Sequence, residues 1–372
     1  MTVDEKLDIA ALLDMVGIDP VRMAENEQRF LTVQNEGGYI PIMCSAPLTD
    51  AQEHALPPTT AHRQEYESHG RTLINGLRMA AGMANADGDD TPSIRANTGA
   101  GTIATPFGVT YEIFTDKMPW VTEHVSLDDL DDFDADTAPL GEVMELVMER
   151  SAYLAQKLAG SGITPFCYDS QGPFDAAHLV IGDDIFLAMY DEPDRVHNLL
   201  DQCTRMIIRT TRLYKETVGE PMTGGRHSSF TMRGGIRVCE DTSTLLCREH
   251  IDEFVVPYTR RLLQAFGGGW VHYCGKNDHL YRVVMDDIPE YYAVNFGNPD
   301  WHDLPVVIDE CIAKSKTYIG SLPREPGEDT RAYFQRVLGY THGSGRGLIF
   351  MSELGEDMPA GEAVRYWRSL QE

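Results

Sequence analysis

The stretch IRVCEDTSTLLCREHIDEFVVPYTRRLLQAFGGGWVHYCG (236–275) decides how the chain is read. IRVCED (236–241) has the pattern of a short strand. Ile251, Phe254, Val255, Tyr258 and Leu262 then fall on one face of a helix spanning about 248–265. Three glycines, Gly267 to Gly269, follow, and Trp270 to Cys274 form a second short strand closed by Gly275. Strand, helix, strand in this order is a parallel crossover unit. Because strand side chains alternate, His272 and Cys274 share one face with Tyr273 on the other. An imidazole and a thiolate at that spacing offer two ligands for one soft or borderline metal, and zinc is the common choice.

The same grammar extends in both directions. Towards the N-terminus, the spacing predicts a helix over 141–160, a strand over 163–170, a helix starting in QGPFDAAHLVIG (171–182), a long amphipathic helix from Pro193 to Val218 and a strand over 221–229. Towards the C-terminus, strands are expected at 291–297, 317–323 and 347–352, with helices near 303–314, 328–341 and 360–371. Before this block lie two helices within residues 1 to about 35, the second opening at Asp19-Pro20, then a strand in GGYIPIMCS (37–45). A long helix over 59–84 with Thr59 or Thr60 as cap and a strand over 92–98 follow. About eight strands alternating with helices favour a single (β/α)8 TIM barrel with an N-terminal helical extension, over a doubly wound sheet. The extension with the first strand is assigned to 1–90 and the barrel to 91–372.

Composition bounds the function. Lys plus Arg number 31 against 58 Asp plus Glu in 372 residues, a formal net charge of −27. Such a field repels nucleic acid and anionic lipid, so neither is an expected partner. The seven cysteines are scattered with no CxxC pair, and the N-terminus lacks a signal-peptide pattern, so a cytoplasmic location with reduced thiols is expected. No apolar run reaches the ~18 residues that span a membrane. The glycines of GAGTIATPFG (99–108) form neither GxGxxG nor a Walker loop and are expected to let a loop turn tightly beside the site. The aspartates of SLDDLDDFDADT (126–137) read as a solvated acidic loop.

In a barrel the active site is built at the C-terminal strand ends. That rule gathers Cys167, Asp169 and Gln171, Arg226, His227 and Ser229, Cys239 and Asp241, His272 and Cys274, Asn295 and Asn298, and Ser352 and Glu353. QGPFDAAHLVIGDDIFLAMYDEPDRVHNLLD (171–201), residues 240–275 and FGNPD (296–300) together resemble the uroporphyrinogen decarboxylase superfamily, over about residues 90–372. The resemblance implies a (β/α)8 barrel and one of two chemistries.

Its cobalamin-linked methyltransferases carry a His-x-Cys strand motif that supplies two zinc ligands, matched by His272-Tyr273-Cys274. A cysteine they carry at the last strand falls here at Ser352-Glu353, so Glu353 is the expected third ligand, with Cys239 or His227 as the alternatives. On this reading zinc is the cofactor, Asp169, Asp241 and His227 are the catalytic or orienting groups, and Arg95, Gln171, Arg226, Asn295, Asn298 and Ser352 bind substrate. A methyl group moves between a small substrate or a corrinoid and a thiol or folate-like acceptor. The chain has no Asp-x-His-x-x-Gly corrinoid motif, so any corrinoid would arrive on a separate protein. A homodimer is the family expectation. The alternative is a cofactor-free uroporphyrinogen-type decarboxylase, in which Arg95, Arg226, Arg233 and Arg237 would hold the substrate carboxylates.

Overall fold

The computed structural model describes residues 7–372. Eight parallel strands follow in chain order: β1 (Ile42–Met43), β2 (Ser93–Arg95), β3 (Thr164–Phe166), β4 (Ile236–Cys239), β5 (Gly269–Tyr273), β6 (Tyr291–Phe296), β7 (Thr317–Gly320) and β8 (Leu348–Met351). β4 to β8 pair successively and β8 pairs with β1, with Ile42 opposite Phe350 and Met43 opposite Met351. The barrel thus takes its first strand from the segment assigned to the extension. β2 and β3 form a separate parallel pair.

Two seams join these arcs, and side chains do much of the stitching. At the first, Asp89 N donates to Ile42 O at 2.8 Å, while the Asp89 carboxylate accepts from Ile42 N and the Asp90 carboxylate from Cys44 N. At the second, Gly172 N donates to Cys239 O at 2.7 Å and Ser170 Oγ to Arg237 O at 2.5 Å. The result is an α/β barrel with a parallel sheet.

Helices cover the outside where their apolar faces dictate. The helix Pro193–Val218 runs over the span expected, with proline in its first turn and the left-handed Gly219 ending it. Its buried stripe includes Val196, Leu200, Cys203, Ile207 and Tyr214. The helix expected from Thr59 starts later. Two pieces occupy the region, His62–Tyr66 and His69–Ala86, and the second is capped by Ser68, whose hydroxyl accepts from Arg71 N.

The segment 221–229 is not a barrel strand. Gly224–His227 folds back on Phe230–Arg233 as an antiparallel hairpin. Ser93 N and Thr91 N donate to Ser228 O and Ser229 O, while Gln34 bonds Thr231 O and Arg233 N. Phe30 and Trp270 pack on Phe230, so the hairpin plugs the barrel from its N-terminal end.

The segment expected as a loop over 99–108 is largely a 3-10 helix, Ala100–Phe107, while the acidic stretch is a loop as expected. Gly101 approaches the hairpin of Thr110–Glu112 and Trp120–Glu123 so closely that a Cβ would lie 2.9 Å from Tyr111 and Val121. The acidic loop is mostly exposed, with Asp128 and Asp131 on Arg195 and Asp134 on Arg205. No helix among the described residues is long and apolar enough to cross a membrane.

Candidate active site at the barrel mouth

Parallel register builds the centre of the mouth from two neighbouring strands. Cys239 on β4 lies opposite His272 on β5, and one layer higher Cys274 N donates to Asp241 Oδ1 at 2.6 Å. Cys239, Asp241, His272 and Cys274 therefore form a two-by-two block of inward positions. Ligand atoms of Cys239, Asp241 and His272 lie within 4.8 Å of one another, and Cys274 Sγ is 3.7 Å from His272 Nε2. Burial and the neighbouring Arg237 lower the His272 pKa, keeping the imidazole neutral at neutral pH. Burial, with Asp241 alongside, raises the Cys274 thiol, and burial raises Cys239 strongly.

Glu353 is not among the donors gathered here. Its side chain is exposed beyond the end of β8, and its backbone carbonyl accepts from Arg324 Nη2 at 3.3 Å. The donors placed beside His272 are those of β4, not Glu353.

Beside the block lies an ion cluster. Asp169, just past β3, accepts from Arg237 on one side and pairs with Arg95 Nη1 at 3.1 Å on the other. Burial pushes the Asp169 carboxyl up, but the two guanidinium groups outweigh it and bring its pKa down to about 2. His227, from the hairpin tip, packs against Phe166 and Trp270 beneath these charges. Burial, with Arg237 and Arg95 close by, holds its pKa well below the usual histidine value.

The remaining expected residues divide. Gln171 is buried and donates to Asp169 O at 3.4 Å, and Asn298 accepts from Gly275 N at 2.7 Å, fixing the loop after Cys274. Ser352 is buried behind β8, where its N–H donates to Met43 O. Cys167 is a core thiol that burial pushes up to about 12. Arg226 is not at the mouth. It bonds Gly162 O at 2.6 Å and Glu27 at the N-terminal end, because the hairpin turns it away. Asn295 does reach the mouth, but its amide is spent within the protein, on His272 Nδ1 and Ile319 O.

Sequence reading passed over Glu240. This wholly buried carboxyl accepts from Ser243 Oγ at 2.6 Å and Thr259 Oγ1 at 2.7 Å, directly behind Cys239 and Asp241. Burial pushes its pKa up to about 7. The available signal was Gly172 of the GPF motif, where a Cβ would lie 2.6 Å from the Glu240 carboxyl.

Comparisons with known proteins agree with this architecture. Residues 94–217 match the family model described as uroporphyrinogen decarboxylase (URO-D). Among solved structures, a methyltransferase from Methanosarcina mazei superposes with a TM-score of 0.59 at 12% identity, over 93% of this chain and 98% of that one. No curated protein matches. The resemblance to the uroporphyrinogen decarboxylase superfamily thus holds, and the fold is the one that superfamily resemblance implies.

Proposed function

We propose that the protein is a metal-assisted methyltransferase acting at the mouth of the barrel. The observation that carries this reading is the donor block on β4 and β5, one imidazole nitrogen, one carboxylate and two thiols on adjacent inward positions. Such a set fits zinc, which takes four N, S and O ligands or three with an open position. His272, Cys239 and Asp241 would hold the metal with Cys274 at the rim. A divalent metal there would lower the pKa of a bound thiol so that a thiolate is available to accept a methyl group near neutral pH.

The chain's own residues supply the rest. Asn295 orients His272, and Asn298 holds the loop that carries Cys274. Arg237 and Arg95 fix the Asp169 carboxylate at the edge of the site, where it can accept a hydrogen bond from a substrate. Glu240 and its hydroxyl partners hold the end of β4 from behind.

Decarboxylation of a many-carboxylate substrate is the weaker reading. Arg95 and Arg237 share Asp169, while Arg226 and Arg233 belong to the plugging hairpin, where Arg233 stacks on Tyr292 at 3.9 Å. The test is zinc-loaded protein given methylcobalamin and a panel of small thiols, followed by loss of the methylcobalamin spectrum. Turnover that disappears in Cys239→Ala and His272→Ala supports the reading. No zinc uptake by the unaltered protein, or turnover that survives both substitutions, refutes it.

A further inference from the structure

Three consecutive strands carry a relay of hydrogen bonds that ends on the donor block. His272 on β5 lies in register with Asn295 on β6, and its Nδ1 is 2.5 Å from Asn295 Oδ1. Asn295 Nδ2 in turn donates to the backbone carbonyl of Ile319 on β7, also at 2.5 Å. A carbonyl only accepts, so the nitrogen of the Asn295 amide must face Ile319 and its oxygen must face His272. The group that meets that oxygen must donate, so Nδ1 carries the ring proton. Nε2 is left with its lone pair directed at the cluster, 3.7 Å from Cys274 Sγ and 4.0 Å from Asp241 Oδ1.

We propose that Asn295 is a positioning residue that locks His272 as the Nδ1–H tautomer and so presets Nε2 to bind a borderline divalent cation such as zinc. The proposal rests on the metal-site reading above. It reassigns Asn295 from substrate contact to support of a ligand. An amide suits the task better than a carboxylate, which could not donate to the Ile319 carbonyl. The anchor is backbone, so the relay does not depend on another side chain keeping its rotamer, and partners of this kind typically set metal affinity by roughly 10–100-fold.

The test combines two readouts. Imidazole-directed 1H–15N correlation on metal-free protein labelled with 15N-histidine reads the tautomer, with the His272 signals assigned by their loss in His272→Gln. The expected result is a protonated Nδ1 and an unprotonated Nε2. Zinc affinity by chelator competition should fall roughly 10–100-fold in Asn295→Leu. A wild-type His272 protonated on Nε2 overturns the proposal whatever the variants do. So does a folded Asn295→Leu protein that binds zinc as tightly as wild type. Failure of the wild type to take up zinc defeats the metal-site reading and the affinity half of this proposal, while the spectrum decides the tautomer independently.

Discussion

Replacing Asp169 by Asn removes the one carboxylate between Arg95 and Arg237, whose side chains are only 24% and 11% exposed. The size of the effect follows from linkage. The folded pKa of about 2 lies below the ordinary 3.8, and the difference of about 1.8 units is worth about 2 kcal/mol of stability. Because the folded value is depressed, this contribution is complete above the unfolded pKa and is lost as pH falls towards the folded one. It should stand at about 2 kcal/mol at neutral pH and about 1 kcal/mol near pH 3. Stranding two guanidinium groups adds to the loss in the variant, since breaking a buried pair costs about 3–5 kcal/mol and this pair is only partly buried. Urea unfolding of both proteins from neutral pH down to about pH 3 checks this. The gap in unfolding free energy should be at least about 2 kcal/mol at neutral pH and narrow by about 1 kcal/mol on acidification. A gap below about 0.5 kcal/mol, or one that does not change with pH, would show that Asp169 is not held as an ionised partner of both arginines.

Glu353→Gln should leave zinc affinity unchanged within about twofold, whereas Cys239→Ala should weaken it at least about tenfold, as chelator competition would show. The opposite ranking would return the third ligand to β8. Gly172→Ala should lower the urea midpoint by the equivalent of about 1–3 kcal/mol, because its Cβ would press on the enclosed Glu240 carboxyl at 2.6 Å. Arg226→Ala should cost about 1 kcal/mol of stability through the lost bond to Gly162 O, yet leave zinc affinity within about twofold, since it acts at the other end of the barrel. A large fall in zinc affinity there would contradict the placement of the hairpin.

The sequence made some elements plain for physical reasons. The helix Pro193–Val218 is bounded by proline and glycine and keeps one apolar stripe throughout, so local signals and packing agree. His272 and Cys274 were legible because a strand repeats every two residues. Cys239 and Asp241 were legible as strand-end groups, one an alternative ligand and the other a catalytic candidate, but what makes them partners of His272 is the register between β4 and β5, a non-local fact. Glu353 was placed by family order, and the structure leaves it exposed past β8 while it sets Cys239 and Asp241 beside His272. The residues 221–229 looked like a barrel strand by composition. Their paired glycines and the bonds to β2 make them half of a hairpin instead. The start of the helix at His69 was hidden by competing caps, of which Ser68 is the one used.

The seam between β3 and β4 has a consequence for how the molecule moves. Among the described residues the Gly172 and Ser170 bonds cross it near the mouth, joined by those from Thr242 N and Ser243 N to Asp175 Oδ1, and the bond from Asp169 to Arg237 spans it as a clasp. A substrate that draws Arg237 away would release that clasp at the place where it binds, so occupancy and breathing of the barrel wall would be coupled. The amide of Gly172 would report this coupling, exchanging with solvent at a rate set by whether Asp169 or a ligand holds Arg237.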